Sequence, residues 1–156
     1  TLMKKINNEF LNRTHEFDVV IWVTVSKPTN IPRIQKEIVQ RLGLSWNEER
    51  TQEYQAKEIL NVLVKKKFVM LLDDIWDRVD LVSLGIPTPD TQNKSKVIFT
   101  TRSEDVCKRM GANKIEVECL DKDKAWNLFK ENVGDEALNA HPDILGLAQE
   151  VAEKCD

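Results

Sequence analysis

Residues 68–74 read Phe-Val-Met-Leu-Leu-Asp-Asp, an apolar run that ends in two adjacent acids. An apolar parallel strand of this kind delivers its terminal carboxylates to the carboxyl edge of a sheet, where open α/β folds bind ligands. Paired carboxylates suit two tasks in phosphoryl transfer. Of Asp73 and Asp74, one can hold Mg²⁺, directly or through water, while the other orients or deprotonates an attacking water. The same pair can equally do no more than cap the turn that follows. A second run, Val97 to Thr101, leads into Thr100-Thr101-Arg102. An arginine at such an edge can touch a terminal phosphate and report its presence; it can also pair with Glu104 or Asp105 on the surface. The two strand ends together say more than either alone.

The chain carries no phosphate cradle of its own. Its glycines stand at 43, 85, 111, 134 and 146, scattered, and no G-x-x-x-x-G-K-[ST] occurs. Such a loop supplies the backbone N–H groups and the lysine that hold phosphates. His15 and His141 stand alone, as surface or capping residues do. Cys107, Cys119 and Cys155 are odd in number and lack close metal-ligand spacing, so reduced thiols in a cytosol are the expectation.

Those groups must be positioned by an ordinary globular framework. Hydrophobic residues make up 41% of the 156 and charged residues 31%, enough to bury a core. A formal net charge of -3 argues against a nucleic-acid surface, which clusters Lys and Arg. The basic run Lys65-Lys66-Lys67 sits just before an apolar run and suits a solvated strand entrance. No apolar run approaches the roughly 20 residues that cross a bilayer, and the opening TLMKKINN has no secretory pattern. Without one, the sequons at Asn12-Arg13-Thr14 and Asn93-Lys94-Ser95 are chance matches.

Periodicity predicts strands alternating with helices, hence an α/β fold with right-handed crossovers and a parallel sheet. Val19 to Val25 (VVIWVTV) and Phe68 to Leu72 (FVMLL) are nearly continuous, as strands covered on both faces are. Val97 to Thr101 is a third strand. Ile115-Glu116-Val117-Glu118-Cys119 alternates apolar with acidic and predicts a fourth, at or near a sheet edge. Between the first two, Ile31, Ile34, Ile38, Val39 and Leu42 fall on one helical face, with Asn30 as cap, Pro32 in the first turn and Gly43 at the end. A second helix carries Ala56, Ile59, Leu60 and Leu63. Gly85 to Ser95 reads as a loop. After Leu120 the character changes: Asp121 caps a helix with Ala125, Leu128 and Phe129 that ends near Gly134, and Ile144, Ala148, Val151 and Cys155 mark another. Residues 1–120 are therefore expected to form an α/β domain, and residues 121–156 the start of a helical one.

Taken together, these segments resemble the NB-ARC domain of plant nucleotide-binding leucine-rich-repeat disease-resistance proteins, over nearly the whole chain and in the family's order. Thr1-Leu2 resembles the end of its GKTTL phosphate loop, one residue after the magnesium-binding Ser/Thr. FDVVIWVTVSK, residues 17–27, resembles its first internal motif, and KFVMLLDDIW, residues 67–76, its Walker B motif. Trp76 is typical of the coiled-coil class. SKVIFTTR, residues 95–102, resembles the sensor strand, and residues 120–129 the start of the first ARC subdomain.

The resemblance implies a P-loop NTPase-like sheet with helices on both faces, here without its first strand and phosphate loop. It assigns Asp73 to Mg²⁺ and Asp74 to catalysis, with Thr1, Thr101 and Arg102 contacting nucleotide. The implied ligands are ATP, ADP and Mg²⁺ in the intact parent protein, with exchange and slow hydrolysis setting an immune-receptor switch. A nucleotide-gated scaffold without useful hydrolysis is the alternative. Implied partners are the parent's own coiled-coil and leucine-rich-repeat domains and an oligomer on activation. Nucleic acid and a transmembrane segment are not expected, and the compartment is cytoplasmic, any membrane association residing in other regions. The strand at Val97 is expected to adjoin the missing one, with Ile115 on its far side. An isolated chain lacking that central strand should be marginally stable, prone to aggregate and poor at binding ATP.

Overall fold

A computed structural model of the chain describes residues 2–13, 16–89 and 94–154, with side chains as far as 152. Thr1, Thr14, His15, Asn93 and Cys155 lie outside the described residues, as do 90–92 of the predicted loop. The chain forms two compact units, 1–113 and 114–156.

In the first unit the order is α1 (Leu2–Asn12), β1 (Val19–Thr24), α2 (Ile31–Arg41), α3 (Gln52–Leu63), β2 (Phe68–Asp73), β3 (Lys96–Phe99) and α4 (Glu104–Arg109). The strands make one parallel sheet in the order β1-β2-β3. Val19 pairs with Phe68 and Thr24 with Asp73, while Val69 pairs with Lys96 and Leu72 with Phe99. All three strands therefore point the same way, and their carboxyl ends arrive together.

The side-chain alternation of β2 splits the core into two layers. Phe68, Met70 and Leu72 face one side with Ile21, Val23 and Val25 of the β1 region, packed on Ile34 and Ile38 of α2 and Ile59 and Leu63 of α3. Val69 and Leu71 face the other side, where Met3, Ile6 and Phe10 of α1 cover them. Burying each such side chain is worth about 1.5–3 kcal/mol, and all five residues of β2 before Asp73 are apolar and buried. The spacing Met3, Ile6, Phe10 is itself a helical stripe; α1 was legible there and was not among the sequence expectations.

Local signals behave as their chemistry requires. Asn30 caps α2 by accepting the Arg33 N–H at 3.0 Å, with proline in the first turn. Gly43 follows in the left-handed region at φ 70°, which costs a glycine little. Thr51 caps α3 in the same way. The buried stripe of α3 is Gln55, Ile59 and Leu63: Ile59 and Leu63 are buried as predicted, whereas Leu60 is exposed. Gln55 replaces it because its amide donates to the Asn47 carbonyl at 2.8 Å, satisfying a polar group inside.

The expected fourth strand is not formed. Residues 115–119 are irregular, with Ile115 87% and Val117 65% exposed. Alternation prepares a segment for a sheet edge, but a strand exists only within a ladder. Among the described residues β3 pairs with β2 alone, and 115–119 enter no ladder.

The second unit is helical: α5 (Lys122–Val133), α6 (Asp135–Leu138) and α7 (Pro142–Lys154). Asp121 caps α5 by accepting the Lys124 N–H at 2.8 Å, and Gly134 ends it. Trp126 stacks on Phe129; Ala148 is buried as predicted, whereas Leu128 and Val151 are exposed, and Leu138 and Ala152 are buried beside the predicted set. No helix among the described residues is long and apolar enough to cross a membrane.

Candidate functional site

The carboxyl ends of β2 and β3 are locked together by one hydroxyl. Thr100 Oγ1 donates to Asp73 Oδ1 at 2.6 Å and accepts the Asp74 N–H at 2.8 Å. Backbone bonds frame this pair: Thr100 N–H to the Leu72 carbonyl at 3.0 Å, and Ile75 N–H to the Thr100 carbonyl at 2.9 Å. On the β1 side, the Val25 N–H donates to the Asp73 carbonyl at 2.8 Å. Asp73 is thus held from both neighbours while its side chain remains half-buried. Its Oδ2 accepts no hydrogen bond among the described residues.

Asp74 leaves the strand in the left-handed region, at φ 59°. Asp tolerates that conformation better than most residues, and the hydroxyl of Thr100 holds it there. Asp74 thus begins the turn directly after Asp73, the last residue of β2. The Asp74 Oδ2 accepts the Trp76 Nε1–H at 3.2 Å. Lys27, past the end of β1, places Nζ 4.6 Å from the centre of the Trp76 ring, and the Arg102 guanidinium carbon lies 5.9 Å from it.

Asp73, Asp74 and Arg102 come to one sheet edge, while Thr1 lies outside the described residues. Thr101 accepts the Ser103 N–H at 3.1 Å and shapes the entry to α4. Arg102 does not take the surface pairing open to it. Glu104 pairs with Lys108 at 3.5 Å and Asp105 with Arg109 at 2.9 Å; among the described residues Arg102 meets no carboxylate. Sequence reasoning missed Thr100, Lys27 and Trp76 as site residues. For Thr100 a signal existed, a hydroxyl at a strand's end beside the acid-bearing strand.

The donor set decides which cation fits. No group of three or more His, Cys, Asp or Glu that could hold a metal occurs among the described residues. Asp73 Oδ2, a carboxylate oxygen with no hydrogen bond among the described residues, is of the donor type that a hard, oxygen-preferring cation such as Mg²⁺ takes.

The model of the NB-ARC domain family matches residues 1–139. A probable disease resistance protein of Arabidopsis thaliana is 46% identical over 161 residues, covering 100% of this chain and 43% of its own length. Disease resistance proteins RFL1 and RPS5 of the same plant are 50% and 48% identical, each match covering 99% of this chain and 18% of the relative. The chain thus spans less than half the length of these curated relatives.

Proposed function

The chain belongs to the NB-ARC family of P-loop NTPase-like, nucleotide-binding domains, and from that premise we propose that it is the ADP/ATP switch of a plant immune receptor. Slow hydrolysis of ATP resets the signalling state. The observation that carries the proposal is the Thr100 lock, which presents Asp73 and Asp74 at one strand edge beside an Arg102 uncommitted to any described carboxylate. Three disease resistance relatives covering 99–100% of the chain support the immune role.

In this account Asp73 would hold Mg²⁺, its Oδ2 taking no hydrogen bond among the described residues. When bound, Mg²⁺ neutralises charge on the phosphate oxygens. Asp74 orients or deprotonates the attacking water through Oδ1, since Oδ2 is taken by Trp76. Arg102 contacts the terminal phosphate and so distinguishes ATP from ADP by a charge-assisted bond that only ATP offers. Thr1 and Thr101 belong to the same nucleotide contact set. The coiled-coil and leucine-rich-repeat partners, oligomerisation on activation and a cytoplasmic location are part of the same proposal for the whole protein.

Chromatography of nucleotide released from the purified full-length protein tests it. ADP or ATP near one per chain is expected. Protein that carries no nucleotide and takes up none at millimolar ATP with Mg²⁺ overturns the proposal.

A further inference from the structure

The backbone of Asp74 is fixed by its φ of 59° and by Thr100, but those contacts leave its carboxylate free to rotate about the side-chain bonds. The only described group that grips that carboxylate is the indole N–H of Trp76, at 3.2 Å. Trp76 is itself 40% exposed, and an indole so exposed would swing unless something held it. Two cations do. Lys27 reaches the ring from the end of β1 at 4.6 Å and Arg102 from beyond β3 at 5.9 Å, both within the roughly 6 Å at which a ring face attracts a cation. Among the described residues neither cation meets a carboxylate. One indole therefore links the ends of all three strands to one oxygen of Asp74.

We propose that Trp76 is a positioning residue for Asp74, with Lys27 holding the indole in register. The inference rests on the hydrolytic role given to Asp74 above. Binding Oδ2 to the indole turns Oδ1 into the one oxygen left to address a water, so the attacking water meets a fixed acceptor. Such alignment acts on rate: displacing a catalytic group by about 1 Å can cost up to roughly 10²-fold. It adds little to nucleotide affinity, because the indole touches the carboxylate and not the phosphates.

The test is single-turnover ATP hydrolysis by the full-length protein, with Mg-ATP and ADP affinities measured beside it. Trp76→Phe keeps a ring for both cations and removes only the N–H. It should slow hydrolysis about 10-fold, a partial misalignment on the scale above, with affinities unchanged within about 2-fold. Lys27→Met should slow hydrolysis about 3-fold, the size of an exposed cation–ring contact, and Lys27→Arg should restore it. In the Trp76→Phe background Lys27→Met should add nothing, because the N–H it steadies is gone. A merely structural role would give independent losses. Parent-rate hydrolysis by Trp76→Phe, or an undiminished effect of Lys27→Met in that background, overturns the positioning role. Asp74→Asn run in parallel separates the two levels. If Asp74→Asn is slow while Trp76→Phe is at the parent rate, only the positioning role falls. If Asp74→Asn is at the parent rate, the hydrolytic role falls and the positioning role with it.

Discussion

Replacing Thr100 with valine keeps the shape of the side chain and removes the hydroxyl that joins β2 to β3. Two bonds are lost: a donor to Asp73 Oδ1 at 2.6 Å and an acceptor for the Asp74 N–H at 2.8 Å. A hydrogen bond to a charged group contributes about 1.5–3 kcal/mol and a neutral one about 0.5–1.5. Asp73, Asp74 and Thr100 are all half-buried, so water replaces part of both, and the net loss should be about 1–3 kcal/mol. That loss is local. It should appear as hydrogen exchange about 5- to 150-fold faster at the amides of Asp74, Ile75 and Thr100, each factor of ten being about 1.4 kcal/mol. Amides in the middle of β1 and β2 should keep most of their protection. Thr100→Ser, which retains the hydroxyl, should stay close to the parent. Unchanged protection in Thr100→Val, or an equal loss in Thr100→Ser, would refute the lock.

Gly85 sits at φ 78°, where an added Cβ would stand 2.2 Å from the Ala56 carbonyl oxygen of α3. Left-handed strain and a backbone collision together should make Gly85→Ala destabilising by about 2–4 kcal/mol; a denaturation midpoint within about 0.5 kcal/mol of the parent would contradict the close approach. The Ser83 hydroxyl donates to Asp80 Oδ2 at 2.6 Å, and that bond first, aided by the Val82 N–H, holds the Asp80 carboxyl below its ordinary range. A carboxyl lowered in the folded state contributes stability above the ordinary carboxylate range and loses it as pH falls through the depressed value. Carbon-13 titration should therefore show a low midpoint for Asp80 that rises in Ser83→Ala, and equal midpoints would dismiss the contact.

The parallel α/β plan was legible because local signals and burial agreed. Nearly continuous apolar residues at 19–25 and 68–72 require cover on both faces, and α1 on one side with α2 and α3 on the other supply it. Asn30, Gly43 and Asp121 act within a few residues of themselves, so their roles could be read without the fold. Residues 115–119 could not be read this way, since a strand depends on a partner that may come from anywhere along a chain. Of the candidate site, the acids and the arginine could be singled out from the sequence by residue type. Its organiser was hidden: Thr100 and Thr101 are equivalent in composition, and only the pairing of Leu72 with Phe99 decides which hydroxyl meets Asp73. Lys27 and Trp76 lie far apart in sequence, and the parallel register of β1 with β2 brings them together.

The central claim is that two adjacent acids divide the work of an ATP switch, and the full-length protein can be asked directly. Single-turnover hydrolysis should be slowed strongly in Asp74→Asn with Mg-ATP affinity nearly intact, since a positioned base contributes about 10²- to 10⁴-fold to rate and little to binding. Asp73→Asn should instead weaken Mg-ATP binding itself, and Arg102→Ala should reduce ATP affinity more than ADP affinity. Hydrolysis at the parent rate by Asp74→Asn would contradict the account and favour a nucleotide-gated scaffold in which the chemistry is incidental.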